Sequence, residues 1–186
     1  MKDWRDAIRL AFLTVCLCAS AISRAEATIT VEANATTIRV TAEIDTTVNR
    51  DIAWKVLSDY NRWAEFIPDM QVSRVVSKPG EPLLVEQRGV IPWMPNFPLV
   101  VIASVQETPG KGLHFQRVAG NIRAIDGEWQ IRGWRKARLI YRSTVEPGFP
   151  IPPQLSIEIF KHDAKVKLEA MAQEMARVKS QKAAKN

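Results

Sequence analysis

Two histidines, His114 and His162, are the only side chains of this chain whose ordinary pKa suits proton transfer near neutral pH. No His, Asp and Glu cluster stands at metal-ligand spacing, so no metal is expected. No Gly-x-Ser-x-Gly elbow marks a nucleophilic serine, and no glycine-rich loop would cradle a phosphate. Both cysteines, Cys16 and Cys18, fall in the N-terminal apolar stretch. The rest of the chain therefore has no thiol for nucleophilic or redox work. Arg117, Arg123, Glu128 and Arg142 lie in strand-like segments. A charge inside a sheet needs a partner, and Arg–Glu pairing across neighbouring strands is the plain expectation. His162, between Lys161 and Asp163, falls one step off an apolar stripe and reads as a solvated or half-buried side chain. No catalytic residue and no cofactor are assigned.

The elements that would position a site follow from hydrophobic periodicity. Thr36 to Asp45 alternates as a half-buried strand, with Ile38, Val40, Ala42 and Ile44 on one face. Asn49 to Leu57 changes to helical spacing, and Thr46 or Thr47 is placed to cap it. Asp59-Tyr60-Asn61 is a turn, and a second short helix over Arg62 to Phe66 ends before Pro68. Strands then follow one another, joined by short turns, from Val72 to Glu146, as in an antiparallel meander. Phe97, Leu99, Val101, Ala103 and Val105 alternate along the longest of them. After the stiff connector Pro147 to Pro153 comes a long helix, about Gln154 to Lys179. Its stripe, which includes Ala164, Leu168, Met171 and Met175, must lie against something apolar. The curved sheet is the only surface large enough. The fold class is α+β, with about seven strands around one long C-terminal helix and two short helices after the first strand.

Residues 1–27 read as a secretory signal peptide: Lys2, Arg5 and Arg9, then the uncharged run Leu10 to Ile22, then Ala25-Glu26-Ala27. The run is shorter than the roughly 20 apolar residues of a membrane span. Cleavage would leave Thr28 at the N-terminus, and the protein is expected outside the cytoplasm, periplasmic or extracellular. The remaining organisation is an extension over 28–35, one domain over 36–180 and a basic tail over 181–186. The net charge of +6 comes from 26 Lys and Arg against 20 Asp and Glu. Arg177, Lys179, Lys182 and Lys185 follow the last acidic residue, and weak attraction to anionic lipid surfaces is compatible with them. Nucleic acid is not expected as a partner, since no aromatic residues interleave with basic ones.

The motifs Ala53-Trp54-Lys55-Val56-Leu57-Ser58-Asp59-Tyr60 and Trp63-Ala64-Glu65-Phe66-Ile67-Pro68, with Asp45 before them, carry a family resemblance. Gly120 and the strand residues Gly127-Glu128-Trp129 extend it. The chain resembles the START and birch-pollen-allergen-like superfamily, and most of all its polyketide-cyclase and coenzyme Q-binding branch, over about Thr36 to Val178. That resemblance implies the helix-grip fold, with an apolar cavity between the bent sheet and the last helix. An apolar gap lacks contacts on its walls, and an apolar ligand restores them.

Under that resemblance the segment Ile91 to Pro98 is a strand-to-strand connection at the cavity mouth. Its Trp93, Met94 and Phe97 either lid a ligand, touch a bilayer surface, or pack on their own sheet. Phe149, in the connector, also borders the mouth. Leu155, Ile159, Phe160 and Val166 on the helix, with Phe115 and Trp129 from the sheet, are candidates for the wall. The function expected is an exported carrier or sensor of an apolar small molecule or lipid, isoprenoid- or quinone-like, with transient membrane contact. Two alternatives are an aromatase/cyclase-like enzyme using the same cavity and an interaction protein whose cavity is filled.

Overall fold

The computed structural model describes residues 26–91 and 94–184, with side chains throughout except those of residues 94–97. Eight strands form one antiparallel sheet in the order β1-β2-β8-β7-β6-β5-β4-β3. They are β1 (Thr28–Ala33), β2 (Ile38–Asp45), β3 (Met70–Val75), β4 (Leu84–Ile91), β5 (Met94–Thr108), β6 (Gly112–Gly120), β7 (Ala124–Arg132) and β8 (Arg138–Glu146). The strand not expected is β1. The segment taken for an extension pairs with β2 from Thr28↔Glu43 to Ala33↔Ile38 and becomes the sheet edge.

Helix α1 (Arg50–Leu57) follows β2, and its N-cap is Asn49, whose Oδ1 accepts from the Ile52 amide at 3.1 Å. Neither expected cap, Thr46 or Thr47, is used. Thr46 is buried and its hydroxyl donates to the Ala137 carbonyl at 2.6 Å, tying the end of β2 to the turn before β8. A 3-10 turn over Tyr60–Arg62 leads into α2 (Trp63–Phe66), and Asp69 turns the chain into β3 with φ +65°. Helix α3 spans Pro153–Ala183, its proline in the first turn where the missing amide has no helical partner to lose.

On β2 and β8 the alternation is complete. Ile38, Val40, Ala42 and Ile44 are buried, as are Leu139, Tyr141, Ser143 and Val145. Ala164, Leu168, Met171 and Met175 of α3 are each at most 1 % exposed. The helix packs closely on β1, β2 and α1, and the sheet from β8 to β4 stands farther from it. The space for a site lies there.

Candidate functional site

A cavity of about 170 Å³ lies between the bent sheet and α3. That exceeds the roughly 150 Å³ of an apolar cavity that admits benzene. Over β5 and β6 its floor obeys the two-residue period of strands. Val85 and Ile91 of β4, Leu99, Val101, Ala103 and Val105 of β5, and Leu113 and Phe115 of β6 all face it. Ile125 and Trp129 of β7 and Tyr141 of β8 continue the wall, and Ile159, Phe160 and Val166 of α3 form the roof.

One side of the wall is aromatic. Trp63 meets Trp129 edge-on with centroids 6.2 Å apart, Trp129 meets Tyr141 at 4.8 Å, and Tyr141 stacks on Phe115 at 6.1 Å and 10°. Gly127 makes this possible. A Cβ there would come within 2.5 Å of the Phe115 ring, so the ring needs the bare backbone. Tyr60 closes the row 5.5 Å from Trp63, its hydroxyl donating to Glu107 Oε1 at 2.6 Å. Burial, and then the Glu107 carboxylate, push the Tyr60 phenol well above its usual range, and burial does the same to Tyr141. Neither phenol is a ready base at neutral pH.

Charges lie at the rim. Asp69, Arg88, His162 and Asp163 border the cavity and are exposed. His162 Nε2 stands 3.7 Å from Asp69 Oδ2, joining α3 to the turn before β3. Arg88 pairs outward with Glu86 at 2.6 Å, and Glu86 also accepts from Arg74 at 2.7 Å. One charge leans into the cavity. The Lys167 ammonium donates to Asp163 Oδ2 at 2.8 Å and stands 5.8 Å from the Tyr141 ring centroid. Burial acts to lower its pKa, but the Asp163 carboxylate overrides this and the group is pushed up to about 12. It is an ammonium at every physiological pH.

Of the residues proposed from sequence, Phe115, Trp129, Ile159, Phe160 and Val166 stand together on the cavity wall. Leu155 does not. It is 39 % exposed in the first turn of α3, before the stretch Ile159–Lys167 that faces the sheet. Phe149 is half-buried in the connector and is not on the wall. Trp93 and the side chains of Met94 and Phe97 lie outside the described residues. The segment is not simply the strand-to-strand connection expected. β4 runs to Ile91, which pairs with Met94, and β5 continues from there. Pro95 and Pro98 are tolerated because the register shift between Gly89 and Ile91 interrupts the ladder. Pairing across strands explains Glu128 and Arg142, opposed in register with Arg142 Nη1 donating at 2.9 Å.

Tyr60, Trp63, Tyr141 and Lys167 were not anticipated in the wall. The Asp163–Lys167 spacing of four was readable as a helical ion pair. Which way it pointed was not.

The chain matches the family described as polyketide cyclase / dehydrase and lipid transport over residues 28–172. No curated protein sequence matches it. Among solved structures it is similar to a START superfamily protein from Mycobacterium smegmatis, at 13 % identity and TM-score 0.66, over 75 % of this chain and 98 % of that one. A STAR-related lipid transfer protein fragment from Xanthomonas axonopodis aligns at 15 % identity and TM-score 0.63, over 83 % and 94 %. The Zhui aromatase/cyclase from Streptomyces sp. R1128 aligns at 12 % identity and TM-score 0.65, over 76 % and 94 %. At such identities these likenesses speak to the fold. Together with an apolar cavity gripped between a bent sheet and a long helix, the match over residues 28–172 places the chain in the polyketide cyclase / dehydrase and lipid transport family.

Proposed function

We propose that the protein is an exported carrier or sensor that holds an apolar ligand, lipid- or isoprenoid-like, between the sheet and α3. The observation that carries this reading is the cavity: apart from Gln87 the sheet floor is apolar, as are Ile159, Phe160 and Val166 of the roof, and the charges other than Lys167 stay at the rim. Such a lining favours ligands recognised by shape and apolar contact, with few polar anchors. Export rests on the N-terminal segment 1–27. β1 opens at Thr28, so removing that segment would take away no residue of the sheet. Transient contact with a lipid surface during loading belongs to the same reading.

The test is mass spectrometry of organic extracts from protein purified under native conditions, beside an Ala103→Phe variant. Ala103 is a small residue on the cavity floor, and a phenyl group there would occupy the ligand's space. The expected result is an apolar compound that co-purifies with the wild type and is absent from the variant. Repeated recovery of nothing apolar, together with no uptake of added lipids, would overturn the reading. For export, the mass of the protein isolated from the periplasm or medium should correspond to a chain beginning at Thr28.

A further inference from the structure

The polar groups around the cavity differ in how many hydrogen-bond donors they have left. The Trp63 indole N–H is used on the Val56 carbonyl at 3.3 Å, and the Tyr60 hydroxyl on Glu107. Arg88 is turned outward to Glu86. Gln87, Trp129 and Tyr141 also line the cavity and are neutral donors; Lys167 differs from them in its charge. An ammonium has three N–H donors, and among the described residues only Asp163 takes one. The Tyr141 ring at 5.8 Å offers a weak contact through its π face.

An ordinary Asp–Lys pair at this spacing leaves both ends in water. Here Asp163 is much the more exposed of the two. Its side chain is 49 % exposed at the rim, whereas that of Lys167 is 18 % exposed. Lys167 leans on Tyr141, itself 5 % exposed in a central strand. A cation with unused donors is thus presented to an apolar space, held there by a carboxylate on the solvent side. A donor turned from water toward an apolar space gains from an acceptor there, and a ligand oxygen is the group that would supply one.

We infer that the ligand carries an oxygen acceptor, a carboxylate or a carbonyl, which docks on the Lys167 ammonium while its apolar body fills the cavity toward Val101, Ala103 and Leu113. This rests on the apolar-ligand reading above and adds to it one anchored end. The anchor sets the orientation: the oxygenated end lies at Lys167, on the Asp163 side of the cavity, and the hydrocarbon deeper inside.

The experiment uses the full protein loaded with the neutral dye Nile red. Decane, decanoate and a methyl ketone of the same chain length are the competitors. Each is titrated against the wild type and against Lys167→Met, which keeps the bulk and removes the donors. Decanoate, the ketone or both should lose roughly tenfold to a hundredfold in potency, the span of one hydrogen bond to a charged group. Decane should change by less than about threefold, since apolar burial is conserved by the swap. Asp163→Asn separates the two sources, because leaving the ammonium uncompensated should strengthen decanoate and leave the ketone nearly unchanged.

If Lys167→Met does not fold, Lys167→Gln removes the charge with less apolar change, and decanoate should still weaken. Equal effects on all three competitors, or none on any, would overturn the anchor while leaving the cavity reading standing. Failure of the wild type to bind Nile red and every competitor would overturn both, and it is seen before any variant is made.

Discussion

Arg62 and Glu174 join two parts of the chain 112 positions apart: Arg62 Nη2 donates to Glu174 Oε1 at 3.2 Å. Glu174 is 5 % exposed on α3 and also accepts from Arg177 at 2.6 Å. The link holds the C-terminal half of the roof helix onto the short helices, away from the open half above the cavity. The Arg177 guanidinium, aided by Arg62, holds the Glu174 carboxyl below its ordinary value of 4.5. A carboxyl lowered on folding stabilises the fold fully above that ordinary value. The contribution is lost as pH falls below 4.5 toward the folded-state pKa. Denaturant unfolding across acidic pH should therefore show a loss that Glu174→Gln reduces. A variant with an unchanged acid limb would show that this carboxylate is not its source.

The two tyrosines should make the opposite statement at high pH. Both are raised, Tyr60 and Tyr141 chiefly by burial, and the chain has no others. A phenol raised on folding adds stability that is complete below its ordinary value of 10 and is lost as pH climbs above it. Tyrosinate absorbance should stay flat through the ordinary range and then rise together with loss of the circular-dichroism signal. A smooth rise centred near the ordinary value, with the fold intact, would contradict the burial of both rings.

Leu168 is 0 % exposed where α3 crosses the core. Leu168→Ala should cost about 2–5 kcal/mol by urea unfolding. Lys161→Ala, on the exposed face of the same helix, should stay within about 0.5 kcal/mol. Similar values for the two would mean the helix turns a different face to the sheet.

Gly127 should tolerate no side chain. Its added Cβ would stand 2.5 Å from the Phe115 ring and 2.6 Å from the Arg142 carbonyl. Gly127→Ala should destabilise by about 1–3 kcal/mol through overpacking, and Phe115→Leu in the same chain should recover part of it. An additive loss in the double variant would show that the ring is not what fills the space over the glycine.

Much of the fold is written in local patterns. The alternation of β2 and of Leu99, Val101, Ala103 and Val105 is the signal of strands with one buried face. The three- and four-residue spacing of Ala164, Leu168, Met171 and Met175 marks the buried face of α3. The motifs from Ala53 to Pro68 name the family. Local pattern has limits even here. Asn49, not Thr46, caps α1, because the Thr46 hydroxyl finds a carbonyl 91 residues away. Thr28–Ala33 reads as an extension because an edge strand, paired on one side only, carries a weak apolar signal; all six of its residues are exposed or half-buried.

The site divides in the same way. An apolar residue announces that it will be buried, since leaving water is a property of the residue itself. It does not announce whether it meets another side chain or an empty space. That depends on how far a bent sheet parts from a straight helix, a relation between elements distant in sequence. So Phe115, Trp129, Ile159, Phe160 and Val166 were nameable as apolar wall candidates, whereas the aromatic row and the turning of Lys167 inward came only with the tertiary structure. Asp163 and Lys167 are adjacent on any helix. Only the packing of that helix over Tyr141 decides that one of them faces water and the other the cavity.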